Sequence, residues 1–499
     1  MAVKTSFFRV LFGGSGRLGL RSPMRSRGAS YRLGLLLLPG LLLTVLPLLA
    51  QSTIYNVRSY GAKGDGVTDD APAIQKAELA AENAGGGKVY IPAGSYWMNS
   101  AVLVGSNIEL YGDGDSTLLH RSNTPSNIPS YTADCTTTKP PTMSLTLLLA
   151  NRHYNCKDVN IYLHDFKADG SAITTVPSGP FFGFSGLVSS TLANITLVNT
   201  PQDGMFFRNG GQNLVVKNNR ILLHNTRWGN GSGINVETHV NGEIWGLVTI
   251  TNNEIIAGAT NFCTAALSQS CNQDSDCTGL VPATCGHGNA SSAAIQAVWV
   301  DGTTPAEVNI LNNYIWVGNN HYGIICNGCS QSTISGNIIL PAKFRNVPGA
   351  GTYTAISSYS TAVTPVQNFT IANNTIQGTG EGNDGPAIVV SGQSSGNGLT
   401  IQNNLIFHKN SSIANIEVIN PSGVTATALN TSIARPAIDV RGWSNVDVSG
   451  NNLCFVPGEG IRVKTPELQT MKGLQEKNTI VSMEKQPNNL PTQCSNMPR

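Results

Sequence analysis

Apolar and polar positions alternate along this chain in one form that recurs seven times, V-x-I-x-N-N-x-I. The copies are NLVVKNNRI (213–221), LVTITNNEI (247–255), EVNILNNYI (307–315), STISGNII (332–339), NFTIANNTI (368–376), GLTIQNNLI (398–406) and NVDVSGNNL (445–453). Period-two alternation is what a strand with one apolar side produces. Each copy therefore predicts a strand, a tight turn and a second strand. The second turn Asn falls at Asn219, Asn253, Asn313, Asn337, Asn374, Asn404 and Asn451, and the shortest step is 24 residues. A unit repeated at that spacing predicts an all-β solenoid with about one coil per unit.

Another strand precedes the turns and also repeats: GMFFR (204–208), GINVE (233–237), AIQAV (294–298), GIICN (323–327), AISSY (355–359), AIVVS (387–391), AIDVR (437–441) and GIRVK (460–464). Its second and fourth positions are mostly apolar and are predicted inside. Its third and fifth positions vary and are predicted on the outer face. Coils stacked about 4.8 Å apart align such positions into ladders. Asn tolerates left-handed backbone, bonds local main chain and stacks on itself, so the turn Asn residues are read as structural.

Composition agrees with a narrow aliphatic interior and many turns: 53 Gly in 499 residues, 12% charged and 7% aromatic. A net charge of +2 suggests neither a nucleic-acid nor an acidic partner. Repeats from about 190 to 465 argue for one elongated body rather than several globular domains. Ahead of it, Leu33–Ala50 is apolar and uncharged, follows Arg17, Arg21, Arg25, Arg27 and Arg32, and ends Leu-Leu-Ala before Gln51. This predicts a signal peptide over residues 1–50, with Met24 as an alternative start, and a secreted (extracellular or periplasmic) protein. An uncleaved anchor is the rival reading. At 18 residues with two prolines the segment is short for that, so no stable membrane insertion is expected after cleavage.

Ten cysteines fit an oxidising compartment. Cys263, Cys271, Cys277 and Cys285 crowd one insertion at 260–290 and are expected to form two disulfides, with a zinc site as the alternative. Cys326 and Cys329 form a C-x-x-C with no thioredoxin-like context, which predicts a local bridge. Cys135 with Cys156, and Cys454 with Cys494, are the remaining candidate pairs.

Residues 54–119 contain YNVRSYGAKGDGVTDD, a helix-like stretch with AIQKA, then GGGKVYIPAGSY and IELYGDG. This resembles the N-terminal signature of the pectate-lyase-like superfamily of right-handed parallel β-helices. That group includes polygalacturonases, rhamnogalacturonases, alginate and mannuronan epimerases, and phage tailspikes. The resemblance implies a single-stranded right-handed β-helix; together with the repeats this sets a β-helix domain over 51–470, with a helix covering the first coil, and leaves a C-terminal tail over 471–499. The helix is expected over Ala71–Asn83, with Thr68, Asp69 and Asp70 as an N-cap arrangement and Pro72 near its first turn. Ile74, Ala77 and Leu79–Ala81 supply its apolar face. Asp65, Asp69 and Asp70 are read as structural on the same grounds.

The resemblance places any active site on an outer sheet face in the middle coils. NTPQDG (199–204) looks like the polygalacturonase N-T-D-G segment with two residues inserted, which puts Asp203 at an acid position. The Asp-Asp pair those enzymes carry one coil later is missing; that coil reads SGINVETH, with Glu237 and His239. Gly286–Gly288 (Gly-His-Gly) lies in the insertion, and GIRVKT sits several coils too late to serve Asp203. Ladder register predicts Arg208 beside Glu237, with Asp301 near the end of the next strand. Asp203, Glu237, His239 and Asp301 are the catalytic candidates. Arg208, His224, Arg227 and Trp228 are the substrate-binding candidates, because Arg forks onto uronate carboxylates and exposed aromatics stack on sugars. Trp245 and Trp299 lie close by in sequence. A surface ion pair is the alternative reading of Arg208 and Glu237, and a core position that of Trp299.

These residues fit a polysaccharide substrate, acidic or plant-type, cleaved or modified by hydrolysis, β-elimination or epimerisation. A non-catalytic glycan-binding or adhesive β-helix, tailspike-like, is the alternative. No metal site is read in the sequence, and calcium is left open for the lyase or epimerase case.

Overall fold

The computed structural model describes residues 53–131, 138–173, 179–224, 231–238, 245–257, 261–263, 266–271, 285–286, 293–299, 307–317, 322–340, 354–360, 367–377, 387–407, 438–444, 447–456, 461–464 and 479–482. The chain is a parallel β-helix whose strands fall into three stacked sheets, visited in turn by each coil. The first sheet holds Leu149–Asn151, Phe182–Ser185, Met205–Arg208, Ile234–Thr238, Ala293–Trp299, Tyr322–Asn327 and onward to Ile461–Lys464, all parallel. The second holds Gly87–Tyr90, the first part of Ile108–Arg121, then Leu214–Lys217, Val248–Thr251 and Val308–Leu311 among others. The third holds Gly94–Met98, Arg220–His224, Glu254–Ala257, Tyr314–Trp316 and Ile338–Leu340. The last described strand, Thr479–Ser482, pairs with Asn452–Val456 and lies in the stretch read from sequence as a tail.

Alternation sends one column of each sheet inward. Met205 and Phe207, Ile234 and Val236, Ile295 and Ala297, Ile324 and Cys326 are fully buried in one continuous core. These are the second and fourth positions of the repeat, as the period-two pattern requires.

The seven turns between second and third sheets split the work of their two Asn positions. The first position takes the left-handed backbone: Asn218, Asn252, Asn312, Asn373 and Asn403 have φ between 53° and 57°, and Gly336 and Gly450 replace Asn at the same place with φ 69° and 64°. The second position is buried and stacks. Asn374 Nδ2 donates to Ile334 O and to Asn404 Oδ1, each at 3.0 Å, while Asn374 Oδ1 accepts the main-chain N–H and the Nδ2 of Asn337, each at 3.0 Å. The same link joins Asn219, Asn253, Asn313, Asn337, Asn374, Asn404 and Asn451 in sequence. Every amide in the interior of that row is satisfied, which is why polar side chains can sit at zero or near-zero exposure.

The helix α1 spans Ala71–Asn83 as expected and packs on the strands of the first coils. Two details differ. Asp70 occupies the N-cap position, but its carboxylate does not cap; it accepts Lys63 N–H (2.6 Å) and Gly64 N–H (3.0 Å), closing the preceding turn. Asp69 Oδ1 instead accepts Ala71 N–H at 3.3 Å and Asn99 N–H at 3.0 Å. Leu79, expected on the apolar face, is exposed, and Glu78 is buried in its place. Burial pushes the Glu78 carboxyl up to about 7 against the pull of the Arg152 guanidinium, its ion-pair partner.

Cys326 and Cys329 form the local disulfide predicted for them. Cys156 is disulfide-bonded, and Cys135, its expected partner, lies outside the described residues. In the insertion, Asn261–Cys263, Ala266–Cys271 and Cys285–Gly286 form a small antiparallel sheet with Cys263 opposite Cys285. Cys277, Cys494, residues 1–50 and the side chains of Cys263, Cys271, Cys285 and Cys454 lie outside what is described. Among the described residues, no helix is long and apolar enough to cross a membrane.

Candidate functional site

The third position of the first-sheet repeat runs Ala150, Gly183, Phe206, Asn235, Gln296 along the outer face. The fifth runs Ser185, Arg208, Glu237, Val298, since Phe207 opposite Val236 continues to Arg208 beside Glu237. That register, carried one residue past Phe207 and Val236, agrees with the expected adjacency of Arg208 and Glu237. Asn235 and Glu237 are two positions apart on the same face, with Val236 between them, roughly 7 Å along the strand.

Asp203 enters this face from the turn that precedes Met205–Arg208. Close contact between backbones fixes that turn: a side chain at Gly204 would meet Gly233 O at 2.7 Å, and one at Gly231 would meet Gln202 C at 2.3 Å. Asp203 Oδ1 accepts the main-chain N–H of Ser232 from the following coil at 2.6 Å, and the Asn235 side chain bonds to the same carboxyl. Asp203 is 6% exposed. Burial, first of all, pushes its carboxyl up to about 7; the nearby Glu237 charge adds to the rise, and the bonds from Ser232 and Asn235 oppose it. Such a group holds a proton near neutral pH yet can release it.

The amide that binds Asp203 has a second end. Among the described residues, Asn235 Oδ1 is buried without a hydrogen-bond partner, and so is Thr238 Oγ1 on the same strand. Buried polar atoms left unpaired are costly and gather where something else supplies the bond. Arg208 is held in place by its surroundings. Its Nε donates to Asn209 Oδ1 at 3.2 Å, its guanidinium lies 6.0 Å from the Phe206 ring centre, and it hydrogen-bonds the buried Tyr154 hydroxyl. Asn209 in turn donates to Asn155 Oδ1 at 2.5 Å, which also accepts Ser185 Oγ at 3.2 Å.

Of the catalytic candidates, the structure brings Asp203 and Glu237 to one face, with Arg208 beside them. His239, Asp301, Arg227 and Trp228 lie outside the described residues, as do the side chains of His224 and Trp299. Trp245 belongs to the core: it is 1% exposed, its Nε1 donates to Glu237 O at 3.3 Å, and it seats the Gly211 turn. It therefore offers no face to a sugar. Asn235 and Tyr154 are the residues sequence reading missed. Asn235 stood in plain view at an outward repeat position next to Glu237. Tyr154 had no signal, because only coil stacking brings it to a residue 54 positions away. GIRVKT falls in the same sheet six rungs beyond Ile234–Thr238, about 29 Å away, which confirms that it cannot serve Asp203. Among the described residues, no group of three His, Cys, Asp or Glu side chains is arranged to hold a metal ion.

Residues 54–288 match the family described as rhamnogalacturonase A/epimerase, pectate lyase-like. Among curated proteins, the chain is 48% identical over 67 residues to alginate lyase 7 of Azotobacter vinelandii, covering 12% of this chain and 8% of that protein. It is 29% identical over 181 residues to plasmin and fibronectin-binding protein A of Streptococcus pneumoniae, covering 34% of this chain and 24% of that one. The aligned stretches are thus a small part of these relatives' lengths. Among solved structures, a surface adhesin of Streptococcus pneumoniae, PfbA, superposes with a TM-score of 0.56 at 16% identity over 83% of this chain and 89% of that one, a likeness of fold. Residues 54–288, just under half of the chain, are thus similar to a pectate-lyase-like family, and the described chain has the parallel β-helix fold.

Proposed function

We propose that this pectate-lyase-like β-helix is a secreted polysaccharide-active enzyme, with its site on the outer face of the first sheet at Asp203, Asn235, Glu237 and Arg208. One observation carries the reading: a buried carboxyl that keeps its proton to about pH 7 shares an amide with a strand that presents a second, half-exposed carboxylate two residues on. The Glu237 charge is near enough to act on Asp203, and inverting hydrolysis needs two carboxyls about 6.5–9.5 Å apart with a water between them.

The geometry supports hydrolysis with inversion. Protonated Asp203 gives its proton to the glycosidic oxygen as the bond to the anomeric carbon breaks. Glu237 takes a proton from the water whose oxygen bonds to that carbon from the opposite side. Asn235 holds Asp203 in place and offers its open Oδ1 to a sugar hydroxyl. Arg208, fixed by Tyr154 and Asn209, meets a uronate carboxylate, so an acidic glycan is the substrate class. β-Elimination on the same face needs Glu237 or another base to remove the proton at C5.

The test is incubation of the secreted protein with a panel of acidic and plant polysaccharides. New reducing ends without ultraviolet absorbance support hydrolysis. A rise in absorbance from unsaturated uronate replaces that reading with elimination. The stretch 29% identical to the plasmin and fibronectin-binding protein supports a second reading, an adhesive β-helix. Binding to glycan or host protein with no product on any substrate favours it.

A further inference from the structure

The second sheet carries, far from the turn of Asp203, a feature the proposed reaction does not use. Its outward positions are aromatic and charged in three successive coils: Lys88 and Tyr90, Glu109 and Tyr111, Tyr162 and His164. The next coils place Thr191 and Ala193, then Val215 and Lys217, then Thr249 and Thr251 at the same positions. Tyr90 stacks on Tyr111 at 5.1 Å between ring centres, Tyr111 on His164 at 5.3 Å, and Tyr162 on His164 at 4.1 Å. Tyr90, Tyr111 and Tyr162 are half-exposed.

Rings stacked along the solenoid axis cover one another's faces, so most of the row offers solvent only edges. The row ends abruptly. Tyr162 and His164 are followed by Thr191 and Ala193, whose side chains are too short to cover an aromatic face. The surface therefore steps down by the height of a ring, with the Tyr162 ring, backed by the buried His164, as the wall and Thr191 and Val215 as the floor. A flat aromatic wall above a shallow floor of short side chains suits the C–H face of a pyranose.

The charges around the step choose the sugar. Glu109 is bound by Lys88 at 2.8 Å, Asp165 by His164 Nδ1 at 2.7 Å, and Asp113 accepts the Tyr90 hydroxyl at 2.8 Å. Three carboxylates against the two lysines of these rows, Lys88 and Lys217, leave the patch with a net negative charge. It repels a polyuronate, while its carboxylate oxygens accept hydrogen bonds from hydroxyls. We infer that this step is a second glycan-binding site, selective for an uncharged polysaccharide strand. Held there, the protein keeps its first-sheet groove at high effective concentration near acidic chains of the same matrix.

The experiment titrates the full secreted chain with cellohexaose, mannohexaose, xylohexaose and hexagalacturonate, by calorimetry or by chemical-shift perturbation. At least one neutral hexasaccharide should bind. Tyr162→Ala should weaken that binding at least tenfold. Thr191→Tyr, which lengthens the aromatic row by one rung and fills the step, should weaken it similarly without lowering the melting temperature. The same binding should survive Asp203→Asn. The proposal fails if none of the three neutral sugars binds. It also fails if a folded Tyr162→Ala or Thr191→Tyr variant binds as wild type, if Asp203→Asn abolishes the binding, or if hexagalacturonate competes for it.

Discussion

Two buried amides in this solenoid, Asn374 and Asn235, are chemically identical and do opposite things. Asn374 sits in a row where each neighbour repeats it, and both of its polar ends are paired with main chain and with other Asn side chains. Asn235 stands on a strand face where no neighbour repeats it. One end bonds Asp203, and among the described residues the other end has no partner. Periodicity closes hydrogen bonds; a break in periodicity leaves one open. The first arrangement stabilises the coil stack, and the second leaves bonding capacity for a ligand.

If that contrast is sound, the largest effect of any single change falls on turnover at the aperiodic site. Asp203→Asn is isosteric and should fold, yet removing an essential acid should lower kcat on the glycan substrate by about a hundredfold or more, with binding largely kept. Wild-type rates in a folded variant would move the chemistry elsewhere on the face.

The next effect is on pH dependence. Asp203 has a folded value of about 7 against 3.8 for the ordinary group. Between those values the folded state holds a proton that the unfolded state has lost, so unfolding free energy falls as pH rises and levels off above about 7. The loss is roughly 4 kcal/mol at most. Chemical denaturation from pH 4 to 8 should show this slope in wild type and a markedly shallower one in Asp203→Asn, where Glu78 still contributes. If catalysis needs the protonated acid, activity should also decline above about pH 7. An unchanged slope in the variant would assign it to another group, Glu78 being the first alternative.

Within the ladder, effects are on stability alone. Asn374→Ala leaves main-chain and amide partners of Asn337, Asn404 and Ile334 unpaired, and should cost about 1–3 kcal/mol in denaturant melts with turnover unchanged. A folded variant with the wild-type melting temperature would show that the row is ornamental. The smallest effect separates the two Asn positions of one turn. Asn373, at φ 57°, needs only left-handed backbone. Asn373→Gly should therefore be nearly neutral, as Gly336 and Gly450 already are at that place, whereas Asn373→Ala should cost about 1–2 kcal/mol. Equal costs for the two substitutions would mean that the side chain, not the backbone, matters there.

Sequence and structure divide along the same line. The Asn turns, the inward columns and the adjacency of Arg208 and Glu237 were legible because each follows from a local period that stacking repeats, and α1 because its signals lie within one short stretch. Asp203 was legible only by its resemblance to an acid motif, and the sequence could not say that it is buried. The helix face was misjudged at Leu79 because amphipathic counting favours the larger apolar residue, while Arg152 from a later coil supplies a partner that lets Glu78 go inside. Trp245 lies close in sequence to the candidate site, and only the close approach of Gly211 shows why it is core.

By itself, then, the sequence determined the coil: which residues point inward, where the chain turns, and which backbone conformation each turn demands. These depend on contacts within one repeat and its copies. Only the tertiary structure decided the chemistry: that Ser232 and Asn235 hold the Asp203 carboxyl in a place where it keeps its proton, and that Tyr154 reaches Arg208 across two rungs. Those contacts join residues that share no period, and the burial that shifts a carboxyl to about 7 exists only once neighbouring coils have closed over it.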